Sequence, residues 1–185
     1  MDIETKKTAK SPEAADAVRV VVVPTGEAPR EKRFDRRTMM KSLQEAVGGL
    51  VTVLDVFGNG AIVYCNDEGV FDCEPNRAVY MNRHMAEEGY LSQLDFRTVP
   101  PEGELYTIVF GDFVVTSWDP ETGEDASLSD EQAAWALEEF ADPTTGEYEL
   151  GRMRMAKALG VSYYELDDEL LMRAVAAWEG GEQDA

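Results

Sequence analysis

Apolar and polar positions along the chain fall into short runs rather than one long period. Val18–Val23 is a nearly unbroken β-branched run closed by Pro24-Thr25-Gly26, which predicts a buried strand and a turn. Arg30–Phe34 reads as a short return strand. Asp35 then offers a helix N-cap, Met40, Leu43 and Val47 recur at helical spacing, and Gly48-Gly49 suits the C-cap. Leu50–Phe57 is apolar on both faces and rich in β-branched residues, the pattern of a central strand. Gly58-Asn59-Gly60 supplies a tight turn, Ala61–Cys65 its hairpin partner, and Asn66–Gly69 a second turn. From Glu74 to Pro101 the pattern breaks, with two candidate short helices and no clear period. Leu105–Phe110 and Asp112–Trp118 are strand-like, joined or kinked at Gly111.

Asp119-Pro120-Glu121-Thr122-Gly123 is a turn by mechanism: Asp accepts backbone hydrogen bonds, Pro presets φ and Gly tolerates the left-handed region. A near copy, Asp142-Pro143-Thr144-Thr145-Gly146, follows, but two common turns do not make a repeat. Ser129–Ala141 carries the best helix signals. Ser129 and Gln132 make a capping box, and Ala133, Ala136, Leu137 and Phe140 face inward. Two further helices, about Gly151–Leu159 and Ser162–Trp178, are expected, the second opened by the capping box Ser162/Glu165 and carrying Leu166, Leu170, Ala174 and Trp178 at four-residue steps, with Gly180–Ala185 frayed. The expected fold is α+β: a small mixed or antiparallel sheet with packed helices, plus a C-terminal helical hairpin. The expected division is a disordered lead over residues 1–16, an α+β domain over 17–142 and a helical hairpin appendage over 150–179.

Charge changes the picture. The 185 residues hold 37 Asp and Glu against 17 Lys and Arg, a net of −20. The balance is uneven: residues 1–41 carry ten Lys and Arg and seven acids, so the remainder is strongly anionic. Between Arg97 and Arg152 lie 54 residues with fourteen acids and no Lys or Arg, where about five cations would be expected from the chain average. Such a surface repels phosphate and closes the usual electrostatic route to nucleic acid or an anionic membrane. The polar start of the chain predicts no secretory leader, the run ending at Pro24 is too short to span a bilayer, and two cysteines make no disulfide framework, so a cytoplasmic location is expected.

The chemistry-bearing residues point away from catalysis. His84 is the only histidine, and His84-Met85-Ala86-Glu87-Glu88 lacks the second His of a metalloprotease helix. Cys65, Cys73 and His84 have neither a fourth zinc ligand nor paired close spacing. Gly58-Asn59-Gly60 lacks the third glycine of a dinucleotide loop, and Asp119–Glu131 lacks the glycine and glutamate of a calcium loop. No catalytic residue, cofactor or metal is expected. Met155–Ser162 looks like the corner of a helix–turn–helix, with Gly160 at the turn. The helix after it carries Glu165, Asp167, Asp168 and Glu169 against Arg173 alone, which a phosphate backbone would repel.

Five segments, in order, carry a family resemblance: Leu43–Gly49, Tyr64–Gly69, Glu74–Ala78, Ile108–Val115 and Ser127–Gln132. Together they resemble domain of unknown function 3846, a family of phages, plasmids and mobile-element-rich bacterial genomes, over about Val18–Phe140. The resemblance implies a small accessory protein of a mobile element and implies no reaction. Joined to the acidity, it leads to one expectation: a DNA mimic that inhibits a nucleic-acid-binding defence complex, of the anti-CRISPR or anti-restriction type, by occupying the basic cleft of a host protein. The candidate surface is Asp119, Glu121, Glu124, Asp125, Asp130, Glu131, Glu138 and Glu139, with Trp118 and Trp135 nearby. The alternative is a phage or plasmid protein–protein interaction module that binds through its C-terminal helices.

Overall fold

β-branched residues with both faces covered form the first strand, β1 (Ala17–Val23), in a computed structural model that describes residues 16–181, with side chains through residue 176. The expectations for residues 1–15 and 182–185, and for the side chain of Trp178, lie outside the described residues. β1 pairs antiparallel with β2 (Arg30–Asp35) and with β7 (Phe113–Trp118). β4 (Ala61–Asn66) pairs with the other side of β7, and β3 (Val51–Leu54) with β4. The two-residue β8 (Asp125–Ala126) pairs with the end of β7. The order β2-β1-β7-β4-β3 makes one antiparallel sheet. A second sheet of two strands is made by β5 (Pro75–Tyr80) and β6 (Leu105–Phe110). The fold is α+β.

Alternation along β1 divides the core. Val18, Val20 and Val22 meet Met39, Leu43 and Val47 of α1 (Met39–Val47) on one face. On the other, Val21 and Val23 meet Phe113, Val115 and the inner residues Ala133 and Ala136 of α4 (Asp130–Glu139), together with Phe140. α2 (Gly69–Asp72) and α3 (Arg83–Glu88) are single short turns beside the second sheet. α5 (Thr145–Leu159) packs across β5 and β6, burying Ala78, Leu105, Ile108 and Tyr163. α6 (Asp168–Gly181) follows a 3-10 turn at Tyr163–Glu165.

Several expectations are corrected. Leu50–Phe57 is not a central strand: only Val51–Leu54 is extended, it lies at the sheet edge, and Val56 and Phe57 leave it to bury in the core. The apolarity of that run belongs partly to a packed loop. Met39, not Met40, points inward from α1, since Met40 is half exposed. The strand β5 lies in the stretch read as patternless, because its buried Asn76 and Arg77 interrupt the apolar pattern. Asp35 caps a 3-10 turn at Arg36–Thr38 rather than α1 itself, accepting from the Arg37 N–H at 2.9 Å. The Ser162/Glu165 box forms, but it opens the 3-10 turn and the helix restarts at Asp168.

The two similar turn sequences also diverge. Asp119–Gly123 turns the chain between β7 and β8, with Gly123 at φ +71°. Asp142–Gly146 instead starts α5 six residues before the expected Gly151. A Cβ at Gly146 would stand 2.8 Å from the Asn76 carbonyl carbon, so glycine is what lets α5 cross β5 this closely.

Candidate functional site

The acidic candidates sit on the β7–β8 turn, on β8 and on α4, whose first turn is tied to the same end of β7. The Asp119 N–H donates to the Glu124 carbonyl at 2.8 Å, and the Asp119 carboxylate accepts from the Glu121 N–H at 2.8 Å, which closes the β7–β8 turn on itself. The capping box of α4 forms as expected: Ser129 Oγ accepts from the Gln132 N–H and Gln132 Oε1 from the Ser129 N–H. Gln132 Nε2 also donates to the Asn59 carbonyl at 3.0 Å and to Ser117 Oγ at 3.3 Å. The first turn of α4 is thereby fixed two residues from Asp119, with Trp118 between them and 40 % exposed. Trp135 packs half-buried against Phe57 and Phe140.

The eight carboxylates fall into two groups. Glu124, Asp125 and Asp130 are engaged by cations or hydroxyls of the body. Arg19 reaches Asp130 at 2.5 Å while its guanidinium also holds Glu31 through two hydrogen bonds; these bonds raise Arg19 above the ordinary arginine range and lower Glu31. Arg36 donates to the Asp125 carbonyl at 2.6 Å and approaches Glu124 at 3.9 Å. The Asp125 carboxylate accepts from the Tyr64 hydroxyl at 3.0 Å, and burial together with that carboxylate pushes the Tyr64 phenol up to about 12. Asp119, Glu121, Glu131, Glu138 and Glu139 have no ion pair among the described residues. Glu131 and Glu138 are two helical turns apart, about 10 Å along α4, and both are exposed. Partial desolvation first, and Glu138 second, raise the Glu139 carboxyl above its ordinary value.

Sequence reasoning missed two buried polar clusters. Asn76, fully buried, donates from Nδ2 to the carbonyls of Val23 at 3.0 Å and Gly111 at 2.8 Å. Arg77, 1 % exposed, donates from Nε to the Phe140 carbonyl at 2.9 Å, from one terminal nitrogen to Asn76 Oδ1 and from the other to the Glu27 carbonyl at 2.6 Å. Glu149, 3 % exposed, accepts from Tyr163 at 2.5 Å and Tyr80 at 3.1 Å beside Arg152. Asn76 and Arg77 lie inside Glu74–Ala78, one of the segments carrying the family resemblance. Glu149 carried no signal to set it apart from the other thirteen acids between Arg97 and Arg152.

Cys65 is half-buried, and burial ahead of Asp67 pushes its thiol up to about 11. A shift of that size leaves about a hundredfold less thiolate near neutral pH than an ordinary cysteine has. Iodoacetamide labelling of Cys65 in the folded protein, read by mass spectrometry, is therefore expected to be about a hundredfold slower than in the urea-unfolded chain. Equal labelling rates contradict this environment.

A family model described as Domain of unknown function (DUF3846) matches residues 18–141. No curated protein and no solved structure matches the chain.

Proposed function

The chain belongs to the DUF3846 family, and from that premise we propose that it is a mobile-element accessory protein that inhibits a nucleic-acid-binding defence complex by presenting carboxylates in place of phosphates. One observation supports this reading above others: Glu121, Glu131, Glu138 and Glu139 are exposed on a closed turn and a capped helix and, like the half-buried Asp119, carry no ion pair among the described residues. Fixed anions of one sign attract a cationic cleft and raise the rate of encounter with it. Asp125 holds the Tyr64 hydroxyl, while Asp130, its side chain 97 % exposed, and Glu124 are partly offset by Arg19 and Arg36. The working surface is therefore smaller than the eight residues expected from sequence. It acts in the cytoplasm of a bacterial host, where CRISPR effectors and restriction enzymes offer such clefts. No helix among the described residues is long and apolar enough to cross a membrane.

The test is capture of host proteins on the immobilised chain at two salt concentrations. Retention falls on the order of tenfold between about 50 and about 300 mM salt, and the triple variant Glu121→Gln, Glu131→Gln, Glu138→Gln loses a similar factor at the lower one. Retention unchanged by both treatments counts against the proposal. A second reading draws on α6, where Met172 is 68 % and Val175 38 % exposed, an apolar face suited to a partner helix. Deleting residues 168–185 removes that face and leaves the buried Leu166 in place. Under the leading proposal this truncation keeps its partner; under the second it loses it.

A further inference from the structure

We propose that β3 is a self-pairing edge, joining two copies of this chain into one continuous antiparallel sheet. The two outer strands of the main sheet differ in kind. β2 carries exposed Arg30, Lys32 and Arg33, the charges that ordinarily keep an edge from pairing with another chain. β3 is Val51-Thr52-Val53-Leu54, with no charge, proline or bulge. Val53 is 50 % exposed and the preceding Leu50 66 %. No strand pairs with its outer side among the described residues.

Register favours a second copy as the occupant. The Asp67 N–H donates to the Leu50 carbonyl at 2.9 Å, so along β3 the backbone groups of residues 50, 52 and 54 face β4. Those of Val51 and Val53 face outward. Antiparallel self-pairing with Thr52 on a twofold axis sets Val51 opposite Val53 of the second copy and Leu50 opposite Leu54. Asp55 then falls opposite Gly49. No carboxylate of this segment meets a carboxylate, although each chain carries a net charge of −20. Overall repulsion between two such chains is screened by salt, so this association strengthens as salt rises. The capture proposed above weakens with salt, which keeps the failures of the two ideas distinct.

Sedimentation equilibrium of the full chain at about 300 mM salt is expected to give twice the chain mass, with a dissociation constant on the order of 10 µM. Val53→Lys, at an exposed position, keeps the circular dichroism spectrum and weakens association at least about tenfold. Amide exchange of Val51 and Val53 slows with protein concentration in the parent chain and not in the variant. A parent chain that stays monomeric to about 200 µM overturns the proposal. So does a dimer whose dissociation constant and Val51 and Val53 exchange are indifferent to Val53→Lys.

Discussion

Arg77→Ala is expected to lower the unfolding free energy by about 4 kcal/mol, read as a shift of the urea midpoint. The side chain is among the largest fully buried in the protein, and its removal leaves a cavity. It also orphans carbonyls at the end of α4 and in the β1–β2 turn, those of Phe140 and Glu27. Arg77→Lys is expected to recover less than half of the loss. One ammonium cannot reproduce a planar fork that donates in three directions, even though the charge is kept. Burial lowers the guanidinium below the ordinary arginine range, with Asp142 pushing back, and its N–H groups are met by the Phe140 and Glu27 carbonyls and Asn76 Oδ1. An alanine variant within about 1 kcal/mol of the parent contradicts this account of the clamp.

Glu149→Ala is expected to cost about 3 kcal/mol, because it strips the nearest anion from a partly buried guanidinium. Arg152 would keep its hydrogen bonds to the Tyr163 hydroxyl and the Leu166 carbonyl, both at 3.0 Å, but lose the carboxylate at 3.4 Å. The same cluster makes stability depend on pH. Burial first, and Glu149 second, raise the phenols of Tyr80 and Tyr163 above the ordinary tyrosine value of 10.0. A raised folded value means the unfolded chain loses these protons first. Stability from this source is complete below about pH 10 and falls as pH rises through the folded values. Urea midpoints should therefore drop between about pH 10 and 12, and less steeply in Glu149→Gln, where the anion that raises both phenols is gone. A midpoint flat across that range in the parent contradicts the arrangement.

The five segments that carry the family resemblance serve the fold. Leu43–Gly49 ends α1, and Gly49 passes so close to the Asn66 amide that a Cβ would stand 2.8 Å from it. Within Tyr64–Gly69, Asn66 donates to the Val47 carbonyl at 3.3 Å. Glu74–Ala78 supplies the Asn76 and Arg77 clamp. Ile108–Val115 passes from the second sheet to the first at Gly111, where φ is +72°, and its Asp112 accepts from the Thr25 N–H at 2.8 Å. Ser127–Gln132 is the cap of α4. These segments supply turns, caps and buried contacts, and Glu131, exposed inside Ser127–Gln132, belongs to the acidic surface as well.

The contrast between buried contacts and exposed surface also governs what was legible from residues alone. Strands buried on both faces, such as β1 and β7, announce themselves through β-branched runs, and α4 through its capping box. β5 was hidden because it buries an asparagine and an arginine, which local pattern counts as surface. The early start of α5 was hidden because Gly146, a helix breaker by propensity, is retained there for a close crossing. The acidic surface was legible as composition but not as geometry. Arg19 and Arg36 lie far from Asp130 and Glu124 in sequence, and only the pairing of β1, β7 and β8 brings them together.

The most direct measurement is displacement from duplex DNA. Bacterial lysate is bound to immobilised DNA at near-physiological salt, and the bound proteins are challenged with the purified chain. Phosphate mimicry by this surface predicts release of a discrete nucleic-acid-binding complex by the parent chain, and none by the variant carrying Gln at positions 121, 131 and 138. Release by both proteins alike, or by neither, would contradict it.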